Sequence, residues 1–195
     1  MEAHRVIINT DGVTDEQKRS AKFQSAYADM LAQLTAPGFA HVLCCHEAAH
    51  LVYFTIAGMQ NYDPQPARLE YDPQLDDYVG SLAGIQLLDL PQWTPGKFGE
   101  WFYNVARAHA AGGVVAREMM SSTGGTWKDD TGGDQDDKER FIKVCDQLNT
   151  DPNVTIDAED AWKKAQESIL QDLEDPDWLS IIEKQAEDLR PLLGL

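Results

Sequence analysis

Positive charge is scarce in this sequence. Its 195 residues include 16 lysines and arginines against 33 aspartates and glutamates, so the formal net charge is −17. A surface of this sign repels both a phosphate backbone and an anionic membrane. We therefore expect no nucleic-acid partner and no membrane partner, and we interpret the acidity as a contribution to solubility.

Cysteine is scarce as well. The chain has three, Cys44, Cys45 and Cys145. An odd number without a spacing pattern does not make a disulfide framework. Because Cys44 and Cys45 are adjacent, they point in different directions on a helix. We interpret the cysteines as small apolar residues of a protein in a reducing compartment.

Two kinds of functional segment are missing from the sequence. The start, MEAHRVIINTDG, lacks a charged region followed by a long apolar stretch, so we expect no secretory signal. No G-x-x-x-x-G-K-[ST] loop occurs, so the chain alone cannot couple ATP hydrolysis to unfolding.

The most apolar segment, 39–59, carries His46, Glu47 and His50 at its centre, which argues against a lipid-exposed span. We expect a soluble, cytoplasmic protein.

The periodicity of the apolar residues predicts a mainly α fold. The length fits a single domain over residues 1–195, with a core over about 14–150 and C-terminal helices, about 155–190, packed on it. Helical spacing and helix-end residues predict the following segments: 14–34, 39–57, 95–120, a helix carrying Phe141 and Cys145, 157–173 and 176–189.

A small β element is predicted between the second and third helices. The segments ARLEYDP (67–73) and YVGSLAGIQL (78–87) have the character of strands and are joined by the polar residues QLDD, which together predict a hairpin. Residues 121–139 are rich in Gly, Ser, Thr and Asp, so we expect a loop there.

The segment HEAAH, residues 46–50, has the spacing of a zinc peptidase site. On a helix, residues four apart share a face, so His46 and His50 can present two imidazoles to one metal ion. Glu47 is rotated by about 100° from His46 and can reach a water on that metal. Zinc lowers the pKa of such a water to about 7, and a carboxylate can take its proton during attack on a carbonyl. The alternative is two packed histidines with a buried glutamate, but burying three ionisable groups in so apolar a helix is costly without a specific partner.

Spacing alone leaves the third ligand open, although a catalytic zinc usually has three from the protein. The metzincin extension is excluded because Tyr53 and Ile56 stand where it needs glycine and histidine. Glu70 is the thermolysin-type alternative, in a β-like segment. We interpret His109 as a packed or capping histidine. The acidic loop offers five further carboxylates: Asp129, Asp130, Asp134, Asp136 and Asp137.

HEAAHLVYFTIAG, residues 46–58, resembles the HEAGHALV helix of the FtsH-type zinc proteases, the membrane-anchored AAA proteases. Three later segments follow in the family's order. Residues 67–87 are similar to its strand pair, residues 108–120 to its YGGRLAEEII segment, and residues 122–141 to its STGASND loop. The resemblance covers about 35–150, and it implies a helical FtsH-protease-like domain with one small β-hairpin after the zinc-binding helix.

The resemblance also implies roles for individual residues. His46 and His50 match the family's two histidine ligands, and Glu47 matches its general base. Aligning the glycine of the loop places Asp136 at the third zinc ligand, and Asp134 competes with it. The strand pair would hold an extended peptide substrate by edge pairing.

A further acidic position, Glu118, matches an acidic residue of the family's helix before the loop. We expect Glu118 near the site but not on the metal.

We therefore predict a soluble zinc metalloendopeptidase of the HExxH type that lacks its own ATPase. It would act on flexible peptide or unfolded protein, and it would work alone, as a homo-oligomer or with a partner protein. One alternative is a non-catalytic protein-interaction module on a metallopeptidase scaffold. The other is a structural metal site, closed by Asp134 together with Asp136.

Overall fold

The computed structural model describes residues 6–88, 96–122 and 133–195, and in these ranges the fold is mainly α, as predicted. The helices are α1 (Asp15–Lys18), α2 (Ala21–Leu34), α3 (Phe39–Ile56), α4 (Phe98–Ser122), α5 (Gly133–Leu148), α6 (Ala158–Asp172) and α7 (Pro176–Leu189). The strands are β1 (Ile8–Asn9), β2 (Tyr62–Gln65), β3 (Ala67–Asp72), β4 (Asp77–Ser81) and β5 (Gly84–Leu87). No helix in the described part is long and apolar enough to cross a membrane.

The first predicted helix is two helices in the structure. The capping box is present: Thr14 accepts a hydrogen bond from the Gln17 backbone, and the Gln17 side chain accepts one from the Thr14 N–H. However, α1 ends at Lys18. The hydroxyl of Ser20 then accepts the Phe23 N–H and begins α2, so a second cap divides the predicted segment.

Helix α3 is central, as its apolar character predicts. It packs mainly against α4 and α7, and most of its residues are buried. It ends just before Gly58, whose φ of 92° is the left-handed conformation that glycine tolerates best. The motif HEAAH therefore lies inside the fold, with a neighbouring helix on each side.

The predicted hairpin is present, but it is only part of the β structure. Strands β3 and β4 pair antiparallel from Arg68 opposite Ser81 to Asp72 opposite Asp77, and β1 adds to β3 in parallel. The predicted second strand is interrupted at residues 82–83. Its remainder is β5, which pairs antiparallel with β2 in a separate two-stranded sheet.

The loop predicted over 121–139 is wrong at both ends, because α4 continues to Ser122 and α5 already begins at Gly133. Residues 123–132, including Asp129 and Asp130, lie outside the described residues. Carboxylates are stabilising in the first turn of a helix, where they meet the positive end of its dipole. The aspartates that indicated a loop by composition are therefore compatible with the start of a helix.

The two C-terminal helices lie where they were predicted, with α6 against α4 and α7 against α3. A buried polar contact joins them to the centre. The Tyr53 hydroxyl of α3 donates to Asp172 at 2.7 Å, Arg107 of α4 pairs with the same carboxylate, and the Tyr53 ring stacks on Trp178 of α7. These contacts fix α3 and α4 relative to each other beside the motif.

Candidate metal centre

The two histidines of the motif meet on the buried face of α3. Their side chains are almost fully enclosed, and the Nε2 atoms of His46 and His50 lie 3.2 Å apart. Nδ1 of His50 lies 2.7 Å from the carbonyl oxygen of Ala108 in α4. Because a carbonyl only accepts, Nδ1 carries a proton and donates it. This hydrogen bond orients the ring so that Nε2 faces the cluster, as in histidines that bind metals.

The carboxylate that completes the cluster belongs to Asp137. Its Oδ2 atom lies 2.9 Å from Nε2 of His50 and 3.6 Å from Nε2 of His46. One ligand atom from each of the three residues lies within 4.8 Å of the others. Asp137 is on α5, so the cluster joins a helix from the middle of the fold to the helix that follows the acidic segment.

Asp136, the predicted third ligand, occupies a different position. It is exposed and lines the cavity beside the cluster, whereas its neighbour Asp137 contacts the imidazoles. The reason is the phase of α5, since Asp137 lies one and two turns before the fully buried Phe141 and Cys145. The ligand set indicated by geometry therefore differs from the predicted one by one residue. The side chain of the competing Asp134 lies outside the described part of the chain.

The charges of the cluster depend on one another. Burial alone would lower the pKa of His50, but the Asp137 carboxylate, its hydrogen bond and the charge of Glu47 together raise it to about 9. Burial would raise the pKa of Asp137, whereas His50 and the hydrogen bonds from both histidines hold it far below its usual range. Asp137 and Glu47 thus favour a positive charge at His50. A metal cation at this point would supply that charge in place of a proton.

Glu47 lies at the edge of the cluster with its two oxygens in different environments. Oε2 accepts the backbone N–H of Ile85 in β5 at 2.9 Å, while Oε1 lies 3.8 Å from Nε2 of His46. One oxygen is therefore anchored to the small sheet. The other faces the imidazole nitrogens, where a general base has to be.

Gly112 of α4 provides the space for the imidazole pair. A Cβ at this position would lie 2.3 Å from Nε2 of His50 and 2.7 Å from Cε1 of His46, well inside van der Waals contact. The sequence predicts that Gly112 and Gly113 either weaken α4 or permit close packing. At Gly112 the close approach is the observed reason.

We expect Gly112→Ala to prevent metal binding at this site. The added methyl group must displace both imidazoles, and such overpacking costs about 1–3 kcal/mol of folding stability. Gly99 is the matched control, because it lies in the same helix and a Cβ there meets nothing within 4 Å. Thermal unfolding and zinc titration of both variants test this. Tight zinc binding by Gly112→Ala would contradict the assigned site.

A cavity of about 820 Å³ opens beside the cluster. Its walls come from α3, from the strand residues 80–87 and from α5. The residues that line it are Leu43, His46, Glu47, His50, Phe54, Gln65, Gly80, Ser81, Leu82, Ala83, Gly84, Ile85, Gln86, Leu87, His109, Asp136, Asp137, Arg140 and Val144. The cavity is large enough for several residues of a peptide, and the cluster of His46, His50 and Asp137 faces it together with Glu47.

His109 is a packed histidine, as predicted. Its ring contacts Phe54 edge-on at 5.2 Å and lies 6.0 Å from the ring of Phe141. Burial, together with the charge of His50, lowers its pKa to about 4. It is therefore neutral at pH 7 and forms part of the cavity wall.

Two other acidic residues named from the sequence lie away from the imidazoles. Glu70 is exposed on β3 and pairs with Arg68 of the same strand, so the thermolysin-type alternative has no geometric support. Glu118, which we expected near the site, is exposed on α4 and does not belong to the described lining of the cavity.

Comparisons of the chain with protein-family models, with curated proteins and with solved structures find no match. The resemblance to FtsH-type proteases is therefore neither supported nor contradicted by these comparisons.

Sequence reasoning named Asp137 among five candidate carboxylates but selected Asp136, and it did not identify two backbone contributions to the site. The sequence contains a signal that favours Asp137. The apolar residues Phe141 and Cys145 are four residues apart, and the same spacing continued back by one helical turn reaches position 137. The carbonyl of Ala108 and the N–H of Ile85 are backbone groups from distant elements. No residue type marks such groups in a sequence.

Proposed function

We propose that this chain is a zinc-dependent peptidase in which His46, His50 and Asp137 hold the metal and Glu47 is the general base. The observation that supports this best is the convergence of four side chains from α3 and α5 on one cavity wall. Two imidazole nitrogens and a partly buried carboxylate lie close together, and a second carboxylate lies beside them.

The donor set fits zinc. Catalytic zinc sites typically use three protein ligands from histidine and carboxylate and keep one open position. The ring orientation of His50, fixed by Ala108, and the space left by Gly112 both favour a cation at the Nε2 atoms. When bound, zinc supplies Lewis acidity, which makes a water molecule acidic near neutral pH.

Glu47 carries the proton in the proposed reaction. Its anchored Oε2 leaves Oε1 free to take a proton from the attacking water as the oxygen–carbon bond forms. The same carboxylic acid then gives this proton to the leaving nitrogen as the carbon–nitrogen bond breaks. The products are a carboxylic acid and an amine, and Glu47 returns to its starting state.

The outer edge of β5 supports a peptide as the substrate, because no other strand of the described residues pairs with it. Leu88 donates its backbone N–H to Asn61 across the sheet, so antiparallel pairing turns the backbone groups of Ile85 and Leu87 away from β2. Pro64, which has no N–H to donate, lies opposite Ile85 in agreement with this pattern. Glu47 already accepts the N–H of Ile85. The edge therefore offers an extended peptide the carbonyl oxygen of Ile85 and the N–H and carbonyl groups of Leu87.

We also infer that the protein works in the cytoplasm. All three cysteines are free and buried, and burial raises the pKa of Cys44 to about 11. Free thiols of this kind favour a reducing compartment.

Metal analysis combined with a cleavage assay tests the proposal. We expect about one zinc per chain by elemental mass spectrometry, and cleavage of reduced, unfolded casein that a chelator stops and added zinc restores. Stoichiometric zinc without cleavage of any unfolded protein would favour the interaction module instead. If no metal binds even when zinc is offered, the proposal is wrong.

A further inference from the structure

We propose that Arg140 binds a carboxylate group of the peptide substrate beside the metal site. This inference rests on the proposed function, because it names a chemical feature of the substrate. The carboxylate would be either the free C-terminus of a peptide or an acidic side chain. Both present the same two oxygens to a guanidinium.

The position of Arg140 carries the argument. It lies on α5 one turn after Asp137 and lines the cavity together with Val144, one turn further on. A substrate that occupies the cavity beside Asp137 therefore lies within reach of the guanidinium. Among the described residues of the lining, Arg140 is the only lysine or arginine, whereas three are acidic: Glu47, Asp136 and Asp137.

The guanidinium of Arg140 is available for a ligand. Its side chain is 66% exposed, and its ion pair with Asp137 is long, with Nη1 4.0 Å from Oδ1. An arginine that served only to hold Asp137 would make a short, paired contact, as arginine and carboxylate do when both donors are used. A guanidinium has five N–H donors, and an exposed side chain with one long ion pair leaves donors for a ligand.

The charge around the site gives this arginine a selective role. The net charge of the chain is −17, so an acidic peptide gains no general attraction from the surface. Arg140 is a fixed positive group where a carboxylate would otherwise meet Asp136 and Asp137. The same cavity is also lined by the apolar residues Leu43 and Val144.

Three related peptides distinguish the two sources of the carboxylate. The first ends in a free carboxylate, and the second has the same sequence but ends in an amide. The third also ends in an amide, and one of its neutral residues is replaced by glutamate. Their affinities are measured by calorimetry on zinc-loaded Glu47→Gln protein, which cannot turn them over, and their kcat/KM values on the wild type. We expect a carboxylate peptide to exceed the neutral one by about tenfold in both measurements. Preference for the first peptide identifies the C-terminal carboxylate as the bound group, and preference for the third identifies an acidic side chain.

Arg140→Gln is made both in Glu47→Gln protein and in the wild type. It should bring the ratio between the carboxylate peptide and the neutral peptide close to one, in affinity and in kcat/KM. The change in kcat/KM should come from KM, while kcat for the neutral peptide stays unchanged. Arg140→Lys should restore part of the ratio. Lys143→Gln is the matched control, since it removes a positive charge from an exposed position of α5 outside the cavity lining, and it should keep the ratio.

An equal loss for all three peptides in Arg140→Gln would show that the residue acts only through Asp137 and would overturn the inference. A wild-type ratio near one would do the same, as would failure of every peptide to bind. Carboxylate-dependent binding without any cleavage would refute the peptidase proposal and leave the carboxylate site standing.

Discussion

Glu47→Gln should leave zinc bound and reduce turnover by about 10²–10⁴-fold. The amide has the size of the carboxylate and can still accept the Ile85 N–H through its oxygen, so the local structure is kept. It cannot take a proton from water at neutral pH. Because His46, His50 and Asp137 are unchanged, zinc content should remain near one per chain. The measurement is kcat/KM on an unfolded substrate, together with elemental analysis of the same sample.

Glu70→Gln provides the matched control for this change. It makes the same substitution on β3, where the side chain is exposed and pairs with Arg68, and it also tests the thermolysin-type alternative. We expect zinc content and turnover close to the wild type. Full activity in Glu47→Gln would show that the assigned general base is wrong, and loss of zinc in Glu70→Gln would bring Glu70 back as a ligand.

The part of the fold that could be predicted from the sequence is the part that local patterns determine. The long apolar helix over 39–57 and the two amphipathic C-terminal helices agree with α3, α6 and α7 to within one or two residues. Their ends carry local signals, such as Gly58 after α3 and Asp157 at the start of α6, whose side chain accepts the Asp160 N–H.

The β structure was predicted less completely, because strand pairing depends on distant residues. The segment 78–87 has one continuous strand pattern, yet β4 pairs with β3 while β5 pairs with β2. Nothing local to Leu82 and Ala83 requires the interruption. It arises because the two ends of the segment lie against different partners, and Ala83 is buried at the change of direction.

The candidate site also has one part that local patterns determine and one part that depends on distant residues. His46, Glu47 and His50 lie within five residues of one another on one helix, so their shared face follows from helix geometry alone. The third ligand comes from another helix, and its identity depends on where that helix begins and which face it buries. We predicted a loop to residue 139. Without a helix over these residues, no helix face distinguishes Asp137 from Asp136.

The resemblance and the structure therefore disagree about one carboxylate, and this disagreement can be measured. We expect Asp137→Asn to lower zinc affinity by more than about 100-fold. Changes to groups outside the ligand shell typically cost 10–100-fold, and loss of a ligand should exceed this. The amide keeps the volume of the side chain at the buried contact with His50 but removes its charge. Competition with a chromophoric zinc chelator gives the affinity.

Asp136→Asn is the matched control, since it makes the same change at the adjacent, exposed position. Its zinc affinity should stay within a few-fold of the wild type, because its carboxylate does not contact the imidazoles. The reverse result, with zinc lost in Asp136→Asn and retained in Asp137→Asn, would require α5 to rotate by one residue when metal binds. It would restore the ligand implied by the resemblance. Retention of zinc in both variants would direct attention to Asp134, and an unchanged affinity in the double variant would exclude both carboxylates as ligands.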